Sequence, residues 1–375
     1  IINVIDEQKI EEIKKLRDKT IILIGFAGGF RRTELISIDH EDLEFVPEGL
    51  KISIRKSKTD QFGEGMIKGL PYLTNESYCP VANLAKWLQI SKIKSGPIFR
   101  RFSKGLSLTN KRLTDQSVVL LIKEYLNFEY EYTKNELIKN KLNIHSFPSS
   151  TFGNPKDKLI VEKSLFTKNH LYFLRRFNFL YEGLDGFKEV NTIVELSPGL
   201  GQLQEIIFKF NSNSKIILFD LPYQLFIAFT YLDSVFPNKC EYIQSYDSNT
   251  ELENGKIYFL NNSNISIIKD LNISVDLFIN SRSFQEMEEE NVLNYLDFII
   301  YNTEYIYLNF FPQLQKSFYS IISGAAANEK SVRISFIEDN LNNFKKIKTD
   351  SLKFVNKGYL YDDRKFINSI YKKFN

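Results

Sequence analysis

At 375 residues the chain is long enough for two separately packed cores, and its 32 Phe and 20 Tyr argue for burial rather than disorder. A formal net charge of +3 conceals an uneven distribution: residues 51–112 carry 13 Lys or Arg against Asp60, Glu64 and Glu76, an excess of ten. That is the footprint of a surface that meets phosphates, or else of an ordinary solvated face.

Only Cys79 and Cys240 are present, which rules out a disulfide framework or a thiolate metal site, and no cluster of His and carboxylates points to any other metal. No apolar run reaches membrane-spanning length, and Asp6, Glu7, Glu11 and Glu12 stand where a secretory leader would be basic and then apolar. A cytoplasmic protein without a membrane partner is expected. Ile1 in place of Met points to a reading frame that begins upstream.

In chain order, Ile10, Ile13, Leu16, Ile21 and Ile24 recur at helical spacing over residues 7–24. Gly25, Gly28 and Gly29 break the pattern and permit a tight turn before Arg31, and Thr33-Glu34-Leu35 begins a second helix. Residues 50–55 and 66–72 read as two strands around a turn-rich stretch, a β-hairpin with Lys58 near its bend. Cys79-Pro80-Val81 then leads into a helix with Leu84, Trp87 and Leu88 on one side.

This succession resembles the catalytic domain of tyrosine recombinases of the phage-integrase family over about the first third of the chain. The resemblance aligns Arg31 with the first catalytic arginine and Lys58 with the hairpin lysine. A guanidinium neutralises charge building on a scissile phosphate, and a lysine ammonium can protonate the leaving 5′-oxygen. The alternatives are an Arg31 that caps its helix or pairs with Glu34, and a solvated Lys58. The family also needs a His-x-x-Arg pair and a downstream nucleophilic Tyr, yet none of His40, His145 and His170 is followed by Arg three residues on. The fragment is therefore expected to be incomplete and unable to exchange strands, with at most weak, non-specific DNA binding.

Residues 128–159 read as a junction. A charged, helical stretch over 128–141 precedes the turn formers Ser146 to Pro155, and His145 among them is more often structural than functional in such a setting. The expected division is 1–127, 128–159 and 160–375.

From Ser164 to Leu180 the apolar residues again follow a helix. Strands and helices then alternate: strand 192–196, helix 203–210, strand 215–219, helix 223–232, strands 256–260 and 275–280, helix 290–300 and strand 305–309. That order implies a mostly parallel, doubly wound α/β sheet of Rossmann-like form, so the whole chain is expected to be α/β, with a mostly helical first part. Ligands bind such sheets beyond the carboxyl ends of the strands. Glu195 ends the first strand, Ser197, Gly199 and Gly201 form a loop that admits close approach, and Asp220 ends the second strand, where a carboxylate can accept both ribose hydroxyls.

The pattern Glu195-x-Ser197-x-Gly199-x-Gly201 resembles the class I methyltransferase fold that binds S-adenosylmethionine, with Ser197 in place of the usual first glycine. A nicotinamide-binding domain is the rival reading. The segment Val275 to Met287, with Leu218-Phe219-Asp220-Leu221-Pro222 upstream and Tyr307-Leu308-Asn309 downstream, is similar to the sugar O-methyltransferase family found in surface-polysaccharide gene sets. That resemblance implies a sugar or polysaccharide precursor as acceptor, and Asn280 joins Glu195, Ser197, Gly199, Gly201 and Asp220 as the cofactor set. Glu286 is the candidate base, with Gln285 and Ser283 orienting the sugar; the alternative is that Glu286 caps the following helix. His170 is a second candidate base or a packing residue.

The expectation is thus an S-adenosylmethionine-dependent sugar O-methyltransferase joined to an inactive recombinase fragment. A DNA-binding protein with an inert methyltransferase-like half, and a gene fusion without joint function, are the competing readings.

Overall fold

The computed structural model describes residues 2–7, 10–55, 65–155, 157–310, 332–351 and 367–374. Lys58, and with it the bend of the first hairpin, lies outside the described residues. The chain divides into two compact units, the first ending at Glu129 and the second beginning at Tyr130.

In the first unit, helix α1 (Ile2–Glu7) precedes α2 (Glu12–Ala27), which packs against α4 (Pro80–Ser91), with Ile21, Ile24, Leu84 and Trp87 buried in one core. Helix α2 starts later than the periodicity predicts and continues through Gly25 to Ala27, because tertiary packing tolerates a glycine inside a helix. The chain reverses at Gly29, whose φ of 55° suits a residue without a Cβ. Arg31 then caps α3 (Arg32–Ser37). Cys79 caps α4, its Sγ accepting from Ala82 N at 3.3 Å, and Pro80 takes the first helical position, where its missing N–H costs nothing. Trp87 is sealed by donating Nε1 to Ile98 O at 2.8 Å.

The expected hairpin strands are β2 (Gly49–Ile54) and β3 (Met66–Pro71). They belong to a three-stranded antiparallel meander that adds β1 (Leu43–Val46). A second small pair, β4 (Arg100–Phe102) with β5 (Leu108–Arg112), completes the unit. Helix α5 (Asp115–Lys139) runs unbroken through position 127, so the charged stretch 128–139 continues a helix that starts at Asp115.

The second unit opens with a hairpin, β6 (Lys158–Val161) and β7 (Ser164–Thr167). The helix expected from Ser164 starts only at Lys168 (α6, Lys168–Gly183), capped by Thr167, whose Oγ1 accepts from His170 N at 3.2 Å. Eight strands form one sheet: β8 (Thr192–Leu196), β9 (Lys215–Asp220), β10 (Cys240–Ile243), β11 (Lys256–Asn261), β12 (Val275–Ser281), β13 (Thr303–Phe310), β14 (Phe344–Ser351) and β15 (Ile367–Lys373). Their spatial order is β10-β11-β9-β8-β12-β13-β15-β14, all neighbours parallel except β13–β15 and β15–β14.

The unit is a mostly parallel, doubly wound α/β fold. The chain runs outward from β8 through α7 (Gln202–Phe210), β9 and α8 (Pro222–Val235) to β10 and β11, then crosses back through the short α9 (Ile267–Asp270) to β12 on the other side of β8, α10 (Glu289–Ile299) and β13. Strands β8, β9 and β12 are buried on both faces, as a covered parallel sheet requires. The topological switch point falls between β8 and β12, and there the carboxyl ends of the strands open a crevice.

Candidate active site

The residues expected to act together in the second unit are brought together. Glu195 pairs in register with Leu218 on β9 and Ile279 on β12, so Glu195, Asp220 and Asn280 close three neighbouring strands at the switch point. Between Glu195 and α7, the chain turns through three left-handed residues: Ser197 (φ 63°), Gly199 (φ 61°) and Gly201 (φ 87°). Ser197 N donates to Phe219 O at 2.8 Å, which forces the turn. A Cβ on Gly199 would meet nothing within 4 Å, so this glycine answers a backbone demand beside open space, whereas a Cβ on Gly201 would meet Leu232 Cδ1 at 2.7 Å.

Glu195 is 2% exposed, and its Oε2 has no hydrogen-bond partner. Burial pushes its carboxyl up to about 8; the Arg176 guanidinium opposes that rise and Asp220 reinforces it. Asp220, 8% exposed, accepts from Leu221 N at 2.8 Å and is likewise raised by burial. Asn280 is fully buried and structurally engaged: Nδ2 donates to Leu196 O at 3.3 Å and Ser283 Oγ at 2.6 Å, while Oδ1 accepts from Phe284 N at 3.2 Å. It ties the loop after β12 to the end of β8.

Glu286 is the exposed residue of a single turn, Phe284–Glu286, and its carboxyl is raised by partial burial against the lowering influence of Arg282. The residue that caps α10 is Glu288, so Glu286 does not cap it. Gln285, in the same turn, is buried. His170 lies wholly inside: Nε2 meets Phe147 O at 2.9 Å, Nδ1 stands 3.9 Å from Glu205 Oε2, and burial holds the ring's pKa down. That is the packing alternative for this histidine. His145 contacts Tyr130 OH at 3.2 Å and Ser164 Oγ at 3.1 Å.

Sequence reasoning misses Arg176. It lies on α6 on the same helical face as Tyr172 and Phe173, donating Nε to Tyr307 OH at 3.1 Å and Nη2 to Ser281 Oγ. Tyr307 and Asn309 both donate to Asn368 Oδ1, at 2.6 and 2.9 Å. A cation inside the otherwise apolar face of α6 is the signal that could have found it.

In the first unit, Arg31 Nη1 meets Glu34 Oε1 at 3.0 Å, and its backbone N donates to Glu34 Oε2 at 3.0 Å. The arginine therefore caps α3 and pairs with Glu34, while its side chain stays 49% exposed. Lys68, on β3, reaches the Gly28 and Gly29 carbonyls at 2.6 and 3.1 Å and lies over the Phe30 ring at 4.5 Å, bracing the turn before Arg31. Arg55 is neutralised by Asp42 at 2.6 Å, and Arg112 pairs with Asp39, so part of the basic excess is spent internally.

No protein-family model matches the chain. Over 116 residues, in the first third of the chain, it is 46% identical to an integrase/recombinase xerD homolog of Selenomonas ruminantium, which makes the first unit recombinase-like. The match covers 31% of this chain, and the chain spans about a third (34%) of that relative's length. Among solved structures, similarity extends over 55% of the chain to magnesium protoporphyrin IX methyltransferase of Synechocystis PCC 6803 with bound S-adenosylhomocysteine, at 11% identity, 83% of that chain and a TM-score of 0.37. It also extends over 55% to human N-acetylserotonin methyltransferase in complex with S-adenosylmethionine, at 13% identity, 53% of that chain and a TM-score of 0.34. Among the described residues, no helix is long and apolar enough to cross a membrane, and no group of three or more His, Cys, Asp or Glu could hold a metal.

Proposed function

We propose that the second unit is an S-adenosylmethionine-dependent O-methyltransferase acting in the cytoplasm on a hydroxyl of a sugar or polysaccharide precursor. The observation that carries this reading is the pair of buried carboxyls, Glu195 and Asp220, at adjacent strand ends around the left-handed loop Ser197 to Gly201. The residues fit such a cofactor. Glu195 Oε2 is a buried acceptor without a donor, Asp220 is placed for a ribose diol, and the space beside Gly199 is open.

When bound, the cofactor would supply an electrophilic sulfonium methyl. The chain's own part is positioning, which can contribute several of the roughly 7–11 kcal/mol available to ideal orientation. Glu286 would take the acceptor's hydroxyl proton; its raised carboxyl brings it closer to the range in which a base works near neutrality. Ser283, held by Asn280, would help orient the sugar. Calorimetry with S-adenosylmethionine tests the reading: the wild-type chain should bind, and Asp220→Ala should bind about tenfold more weakly or worse, through loss of a charge-assisted contact of ~1.5–3 kcal/mol. No binding by the wild type sinks it.

For the first unit, the recombinase-like stretch and the basic excess in residues 51–112 support weak, sequence-tolerant binding of duplex DNA without strand exchange.

A further inference from the structure

Arg176 is only 3% exposed, yet among the described residues every hydrogen-bond partner and ring that it meets is neutral. Its Nε and Nη2 donate to Tyr307 OH and Ser281 Oγ, and its guanidinium lies 5.8, 5.3 and 5.5 Å from the ring centroids of Tyr172, Phe173 and Tyr307. Ring faces and hydroxyls make a buried cation tolerable but do not neutralise it.

Other buried cations of this chain are treated differently. Arg17 holds Asp18 at 2.6 Å, and Lys19 is paired with Asp6 at 2.8 Å. Among the described residues no carboxylate lies within 4.0 Å of Arg176; Glu195 acts on it only from farther away. Nη1 makes no hydrogen bond among the described residues, and it is not among the polar atoms sealed from solvent. The position is also telling. Ser281 ends β12 and Tyr307 lies on β13, so the guanidinium sits at the ligand end of the sheet.

We propose that Arg176 is the receptor for a carboxylate carried by a ligand of the second unit, which supplies on binding a counter-ion that no described residue provides. A planar carboxylate can accept two parallel N–H···O bonds from a guanidinium edge. Two ligands of the proposed methyltransferase could carry it, and the inference rests on that reading: the amino-acid end of the cofactor, or an acidic sugar such as a uronate. The orphaned Oε2 of Glu195 would complement an ammonium next to such a carboxylate.

The test compares the wild-type chain with Arg176→Met and Arg176→Lys by calorimetry. One pair of probes is S-adenosylhomocysteine and 5′-methylthioadenosine, which lacks the amino-acid end. The other is glucuronate and glucose, each added with S-adenosylhomocysteine. In one pair, Arg176→Met should weaken the carboxylate-bearing member about tenfold or more and leave its carboxylate-free counterpart within roughly twofold; the pair that responds names the source. Arg176→Lys should recover part of that discrimination, because it keeps the charge without the fork.

The ligand-free Arg176→Met chain should melt at or above the wild-type temperature, since an uncompensated buried charge has been removed. A lower melting temperature, failure to fold, or equal loss for both members of each pair overturns the proposal and leaves Arg176 a packing residue. If the wild type binds both nucleosides and Arg176→Met changes neither pair, this inference alone fails. If the wild type binds none of the probes, the cofactor reading fails with it.

Discussion

Glu195, one residue before the end of β8, and Asp220, the last residue of β9, lie on adjacent parallel strands, and the carboxylate of Asp220 makes ionisation of Glu195 harder. The ligand-free protein thus keeps a buried, protonated glutamic acid where the proposed cofactor would bring positive charge. Binding of a cation there favours release of that proton, a coupling that a surface pair would lack.

This has a consequence for stability. The folded-state pKa of Glu195, about 8, lies above its ordinary value of 4.5, so the folded state holds the proton more tightly than the unfolded chain. The stability it contributes is fully present below pH 4.5 and is lost as pH rises toward 8, at no more than about 1.4 kcal/mol per pH unit. Urea midpoints of the ligand-free chain at pH 5, 6.5 and 8 should fall more steeply for the wild type than for Glu195→Gln. Parallel profiles would contradict the burial of an ionisable Glu195.

The loop before α7 offers a pair of opposite substitutions. Ser197 is a non-glycine residue at φ 63°, so Ser197→Gly should stabilise the chain by roughly 1 kcal/mol. Gly201→Ala should destabilise it by about 1–3 kcal/mol, because φ 87° strains an L-residue and the new methyl meets Leu232 Cδ1 at 2.7 Å. Thermal melts of the two variants decide both.

Duplex binding by the chain should weaken steeply with salt, each neutralised phosphate adding about −0.9 to the slope of log affinity against log salt concentration. Since Arg55 and Arg112 are already paired with Asp42 and Asp39, the slope should count fewer phosphates than the 13 basic residues of 51–112 would allow. Fluorescence anisotropy across a salt series measures it, and a flat dependence would speak against an electrostatic DNA surface.

On a suicide DNA substrate, the chain should form no covalent adduct. Arg31 and Lys58 can stabilise charge and donate a proton, but neither provides the nucleophile that conserves phosphodiester energy. A protein–DNA band on a denaturing gel that disappears in Arg31→Ala would show that the recombinase-like unit is complete in function.

Much of what positions the proposed site was legible in local sequence, because the signals are local. An apolar run ending in Glu195, a small-residue loop, a second run ending in Asp220 and the Cys79-Pro80 helix start each state a conformational demand that neighbouring residues meet. The Lys158–Thr167 hairpin was hidden for the opposite reason. Its two-residue turn is Glu162-Lys163, both left-handed at φ 47° and 69°, residues that carry none of the usual Asn-Gly signal. Leu165 and Phe166 prolong the apolar pattern of α6 across the Thr167 cap, so periodicity alone merges strand and helix.

Strands β14 and β15 owe their antiparallel places beside β13 to long-range pairing that no window of sequence contains. Arg176 shows the same limit at the level of chemistry. The sequence by itself determined that an arginine occurs on a helix otherwise rich in apolar residues. Only the tertiary structure decided that Ser281 and Tyr307, more than a hundred residues away, would bury its charge with no carboxylate among the described residues within 4.0 Å, because burial and counter-ion depend on which strands the sheet sets side by side.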